Sequence, residues 1–144
     1  MTVGDLIESR KDVYSIADDA TVYEAARYLR EKQVRSVGVC DRNGKLLGVV
    51  SQSDISNKVA AENKCPAWMR VSEIMTSELT VVPPETPLAD CLRLMEMNGF
   101  YHLPVTNKLG HYCGMISVRD LLTVIASDEK ARADMLEAFL FPQR

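Results

Sequence analysis

The sequence predicts an α/β (α+β) protein built from two tandem repeats, each a short three-stranded sheet with two helices, packed as a pseudo-two-fold sandwich. Three observations carry this. First, Gly48-Val49-Val50-Ser51-Gln52-Ser53-Asp54 recurs as Gly114-Met115-Ile116-Ser117-Val118-Arg119-Asp120, an offset of 66 residues, and self-similarity at a fixed period marks a repeat architecture. Second, the offset holds elsewhere: Val39, Gly44 and Gly48 map to Val105, Gly110 and Gly114, and the apolar set Val22, Ala25, Ala26, Leu29 maps to Leu88, Cys91, Leu92, Met95. Third, 144 residues with 47% hydrophobic and 26% charged side chains suit one soluble folding unit. Each half alone, at about 55–60 residues, is near the size where a lone domain becomes marginal. A sheet with an apolar face left over is best covered by its sister half.

Both halves read in the same order. A short helical turn opens each, near 3–8 and 71–76; here the offset is 68, pairing Val3-Gly4-Asp5-Leu6-Ile7 with Val71-Ser72-Glu73-Ile74-Met75. A short strand follows, at Val13–Ile16 and Leu79–Val82. The i, i+3, i+4, i+7 spacing of Val22, Ala25, Ala26 and Leu29 predicts an amphipathic helix. Thr21 with Glu24 can close a capping box at its start. In the second half, Thr86 is the expected cap and Pro87 the first-turn proline. Two strands then form a hairpin, 37–40 and 46–50 around Asn43-Gly44, with Asn107 to Gly110 at the corresponding turn. A helix closes each half, at roughly 52–60 and 118–126. The predicted division is 1–60 for the first repeat, 61–70 for a linker containing Trp68 and Met69, and 71–126 for the second. A helical tail over 127–144 follows, started near Asp128, stopped by Pro142 and striped by Ala131, Met135, Ala138 and Phe139.

Several function classes are disfavoured. Lys and Arg total 17 against 20 Asp and Glu, a net charge of -3, and broad nucleic-acid binding calls for a basic stripe. No stretch approaches the ~20 apolar residues of a membrane span, and the opening Met1-Thr2-Val3-Gly4-Asp5 is unlike a signal peptide. A cytoplasmic location is therefore expected. Cys40, Cys65, Cys91 and Cys113 are too far apart in sequence for zinc-ribbon or redox motifs. No nucleophilic triad, metal cluster or glycine-rich phosphate loop is visible, so no enzyme is expected.

The repeated Gly-apolar-apolar-Ser-x-x-Asp element sits at a strand-to-helix junction. There the helix start offers unpaired N–H groups, the serine a hydroxyl, and the aspartate an acceptor pair for a ribose diol. Ser51 with Asp54 and Ser117 with Asp120 could thus clamp a nucleoside phosphate. The same spacing is also a capping box, and the two roles are compatible.

Together with His102-Leu103-Pro104-Val105 before the second hairpin, and Val71-Ser72-Glu73-Ile74-Met75-Thr76 as an opening turn, this ordered duplication resembles the cystathionine-β-synthase (CBS) domain pair, or Bateman module, over residues 1–126 or so. The resemblance implies a regulatory module for adenosine-containing ligands such as AMP, ADP, ATP or S-adenosylmethionine, with no required cofactor, and often a homodimer. It implies two clefts. One combines Ser117, Arg119 and Asp120 with Ile16, Ala17, Arg35 and Ser36. The other combines Ser51, Ser53 and Asp54 with Val82, Pro83, Tyr101, His102 and Pro104. The first copy, Ser36-Val37-Gly38-Val39, lacks the proline found at Pro104. With arginines expected only in the first cleft, the phosphorylated ligand is expected there. The expected protein is a nucleotide sensor acting on a separate effector protein. The alternative is a structural or dimerisation module with degenerate clefts.

Overall fold

The computed structural model describes residues 1–10, 12–127 and 129–140, apart from the side chains of Ala131, Met135 and Phe139. Asp128, Pro142 and three members of the predicted tail stripe thus lie outside the described residues. The chain forms α1 (Val3–Arg10), β1 (Ser15–Ala17), α2 (Val22–Lys32), β2 (Ser36–Cys40) and β3 (Leu46–Ser51). Then α3 (Gln52–Ile55) runs on as a π-helical turn, Ser56–Ala60. After short 3₁₀ turns at Pro66–Trp68 and Val71–Glu73 come α4 (Leu88–Asn98), β4 (His102–Thr106), β5 (Tyr112–Ser117), α5 (Val118–Ser127) and α6 (Glu129–Leu140).

Local chemistry explains the helix ends. The Thr21 hydroxyl accepts from the Glu24 N–H at 3.1 Å, and the Glu24 carboxylate accepts from the Thr21 N–H at 3.2 Å, which closes the predicted box. Val22, Ala25 and Leu29 are the buried stripe of α2. The counterpart α4 starts differently. Its cap position is Pro87, without a side-chain cap, and the Thr86 hydroxyl donates to the Pro83 carbonyl at 2.8 Å instead. Gly99, at φ 69°, ends α4 in the left-handed conformation that glycine adopts without strain.

The first sheet has the order β1-β2-β3, with β1 parallel and β3 antiparallel to β2. The second pairs only β4 with β5. The strand expected at Leu79–Val82 is reduced to one parallel bridge, Val82 to Val105. Val82 donates to the Pro104 carbonyl and Thr106 donates to Val82, each at 3.1 Å. Extending a parallel ladder either way would next use the N–H of residue 84 or residue 104. Both are proline and have no N–H to give.

The opening segments are exchanged. Val3 and Ile7 of α1 are buried in a core with Leu88, Cys91, Met95, Leu103, Val105, Ile116 and Leu121, all of the second half. Val71 and Ile74 are buried with Val22, Leu29, Val37, Val39 and Val50 of the first. Main-chain bonds repeat the exchange symmetrically: Val3 donates to the Thr86 carbonyl and Val71 to the Ala20 carbonyl, each at 2.8 Å. Met69 packs against the first core, whereas Trp68 beside it is 86% exposed. The hairpin tips also meet, with Leu46 donating to Gly110 and Tyr112 to Gly44, each at 3.0 Å.

Cysteine placement gives a simple test of this packing. Cys65 is exposed, while Cys40 and Cys91 are buried and Cys113 partly so. Burial pushes the Cys40 and Cys113 thiols up and the Cys91 thiol up to about 11, which suppresses the reactive thiolate. Maleimide at neutral pH is expected to label Cys65 rapidly, Cys113 more slowly, and Cys40 and Cys91 only on unfolding. Labelling of Cys91 at the rate of Cys65 would contradict the packing.

Candidate ligand clefts

Each Ser-x-x-Asp element lies at the end of a strand and the start of a helix, and both form capping boxes. The Asp54 N–H donates to Ser51 Oγ at 3.2 Å and the Ser51 N–H to Asp54 Oδ2 at 2.9 Å. The Asp120 N–H donates to Ser117 Oγ at 3.0 Å and the Ser117 N–H to Asp120 Oδ2 at 2.8 Å. The first N–H of each helix is also taken: Gln52 donates to the Arg35 carbonyl at 2.9 Å and Val118 to the Tyr101 carbonyl at 3.0 Å.

The two carboxylates then diverge. Asp54 is buried, at 8% exposure. Its Oδ1 meets Lys58 Nζ at 3.0 Å and accepts from the Thr76 hydroxyl at 3.4 Å, while Oδ2 also accepts from the Ser51 hydroxyl at 3.0 Å. Both of its oxygens are engaged. Asp120 is partly exposed. Its Oδ2 takes the Ser117 N–H and, at 2.9 Å, Arg10 Nη1, and Oδ1 has no hydrogen-bond partner among the described residues. Arg10 also donates to the Met115 carbonyl at 2.7 Å, and its buried Nε is without a partner among the described residues.

Two clefts flank these elements. One, of roughly 630 Å³, brings together Ser117, Arg119, Asp120, Arg35 and Ser36 as predicted, and adds Arg10, Asp12, Tyr14 and Tyr112. Ile16 and Ala17 do not line it. The parallel register sets Ser15 against Gly38 and Ala17 against Cys40, so β1 runs away from the start of β2, where Ser36 sits. The segment before the strand therefore reaches the cleft. The other cleft, of roughly 660 Å³, gathers Ser51, Ser53, Asp54, Tyr101, His102 and Pro104, but not Val82 or Pro83. Val82 is buried in the second core, and Glu78, Leu79 and Thr80 line the cleft instead. Arg35 lines this cleft as well, so it is not the arginine-free site expected.

The CBS-domain profile matches residues 3–61 and 71–127. The chain belongs to the CBS-domain family. An uncharacterised 17.7 kDa protein of Acidianus ambivalens is 32% identical over 109 residues, which are 76% of this chain and 65% of that protein. One from Methanopyrus kandleri is 25% identical over 124 residues, 86% of this chain and 62% of that protein. The chain thus spans somewhat less than two thirds of either relative. The structure of a protein with CBS domains from Burkholderia ambifaria superposes with a TM-score of 0.80 at 28% identity, covering 90% of this chain and 96% of that one. A CBS domain protein from Pyrobaculum aerophilum, complexed with AMP, superposes with a TM-score of 0.81 at 22% identity, covering 96% of this chain and 100% of that one.

The charges of this CBS pair are unequal between its clefts. The Asp120 cleft carries Arg10, Arg35 and Arg119 against Asp12 and Asp120. The Asp54 cleft carries Arg35 against Asp54 and Glu78. Sequence reasoning missed Arg10, because a residue closing the opening turn gives no sign of contact with one 110 positions later. His102 faces both clefts. Burial holds its imidazole below the ordinary value, nearby Arg35 acts in the same direction, and Asp120 opposes both. A histidine depressed in the fold stabilises above its unfolded value and loses that contribution as pH falls through its folded value. The melting temperature is expected to drop between pH 7 and pH 5, and His102→Asn to flatten part of the drop. An unchanged pH profile in that variant would remove His102 as a cause.

Proposed function

We propose that this CBS pair is a regulatory adenine-nucleotide-binding module whose Asp120 cleft holds the phosphorylated ligand, and that it acts on a separate partner protein. The observation that carries the reading is the difference between the carboxylates. Asp120 has one oxygen unpartnered among the described residues, in a cleft lined by three arginines, whereas Asp54 has both oxygens engaged by Lys58, Thr76 and Ser51. A carboxylate oxygen accepts from a ribose hydroxyl, and guanidinium groups suit a phosphate. AMP bound to the Pyrobaculum aerophilum relative supplies both groups. AMP, ADP, ATP and S-adenosylmethionine are the candidate ligands, and the Asp54 cleft is the weaker site.

Regulation requires that the ligand bind two geometries of the module unequally. A homodimer whose arrangement follows occupancy would supply them, with the effector reading the difference. Calorimetry with the four ligands tests the first step. Saturable binding of at least one nucleotide supports the reading, with a matching rise in melting temperature. Absence of heat and of thermal shift with all four would favour the structural or dimerisation alternative.

A further inference from the structure

The two clefts share a wall. Arg35, Ser36, Tyr101, His102 and Met115 line both. The repeat offset of 66 pairs Arg35 with Tyr101 and Ser36 with His102, so the wall lies on the pseudo-two-fold axis, each repeat contributing the first residues of its hairpin. Across the ladders Ser36 faces Ser51 and His102 faces Ser117, which sets the wall between the two capping boxes. Ser36 is only 6% exposed, and its hydroxyl has no hydrogen-bond partner among the described residues. Buried hydroxyls are normally satisfied, and one left alone points to an absent partner. A serine hydroxyl can donate or accept, and the Arg35 guanidinium and His102 imidazole lining the same wall favour an oxyanion as its acceptor.

We propose that Arg35, Ser36 and His102 form a single oxyanion position shared by both clefts, which takes the phosphoryl group of a nucleotide held in either and so makes two phosphorylated ligands exclude one another. This rests on the reading of the clefts as adenine-nucleotide sites. Each ribose has its own aspartate, Asp54 or Asp120. One hydroxyl and one guanidinium serve both phosphates, and two phosphate dianions brought to one wall repel.

Calorimetry with AMP and adenosine tests the sharing. In protein already loaded with one AMP, the remaining cleft is expected to take adenosine at least tenfold more tightly than a second AMP. A second AMP bound as tightly as adenosine overturns the proposal. Ser36→Ala is expected to reduce the preference for AMP over adenosine about tenfold, the value of a hydrogen bond to a charged group. The same reduction is expected in an Asp120→Ala background, where the Asp54 cleft remains. Arg35→Gln, at an exposed position that does not threaten folding, is expected to act alike. A serine that serves packing only would weaken both ligands together and leave the preference intact, which also overturns the proposal. So does an Asp54 cleft that takes neither ligand in Asp120→Ala, although the Asp120 site then stands. Failure of wild-type protein to bind either compound defeats the nucleotide reading itself, and the sharing with it.

Discussion

Asp120→Ala is expected to weaken AMP binding at least about a hundredfold, whereas Asp54→Ala leaves it within about threefold and lowers the melting temperature instead. The two aspartates hold equivalent places in the repeat, so the contrast comes from their surroundings. Asp120 lines its cleft with one carboxylate oxygen unpartnered among the described residues. Hydrogen bonds from a ribose diol to a charged acceptor are worth roughly 1.5–3 kcal/mol each, and a hundredfold loss is about 2.7 kcal/mol. Asp54 is engaged by protein groups on both oxygens. A ligand there would have to displace Lys58 or Thr76. Its removal frees buried partners at a cost of about 1–3 kcal/mol, the Lys58 share being the smaller because that side chain can turn to solvent. Calorimetry and thermal melting on the two variants read both effects. Equal losses of AMP affinity would count against the asymmetry.

Gly48→Val is expected to cost about 3 kcal/mol of folding stability, by urea unfolding. A Cβ at Gly48 would lie 2.7 Å from Met75 Sδ and 2.9 Å from the Thr76 carbonyl oxygen. The thioether can move aside. The carbonyl cannot, because Thr76 and Val49 exchange both main-chain hydrogen bonds at 2.9 Å. The repeat places Gly114 in the equivalent role, under Ile7 at 3.1 Å and at φ 151°. Each glycine is the seat on which the other half's opening segment rests. A loss below about 1 kcal/mol would mean that this contact gives way freely.

Features set by local pattern were legible in the sequence. The repeat, the stripe of α2, its capping box and the Asn-Gly hairpin depend on residues a few positions apart, and all are present. The reduced strand at Leu79–Val82 was legible in principle, since Pro84 and Pro104 are there to be read, but their effect appears only once the register of the ladder is known. The exchange of opening segments left a faint trace. Val3–Ile7 and Val71–Met75 align at an offset of 68 while the rest aligns at 66, a sign that these pieces are separate from the sheets they precede. Within the clefts, Ser-x-x-Asp is the same in both copies, and what tells them apart lies outside the motif. Lys58 corresponds to Val124 in the repeat, and Arg10 comes from a distant turn. Neither effect has a local signature.

The exchange also bears on how chains meet one another. Each core is completed by a segment from the opposite side of the 61–70 linker, and the bonds involved, Val3 to Thr86 and Val71 to Ala20, do not require both partners to belong to one molecule. Two chains opening at that linker could trade halves and restore every one of these contacts between them, the usual route to a domain-swapped dimer. Because the two chains are identical, a swapped form would keep the same contacts, and linker geometry and protein concentration would decide whether it forms.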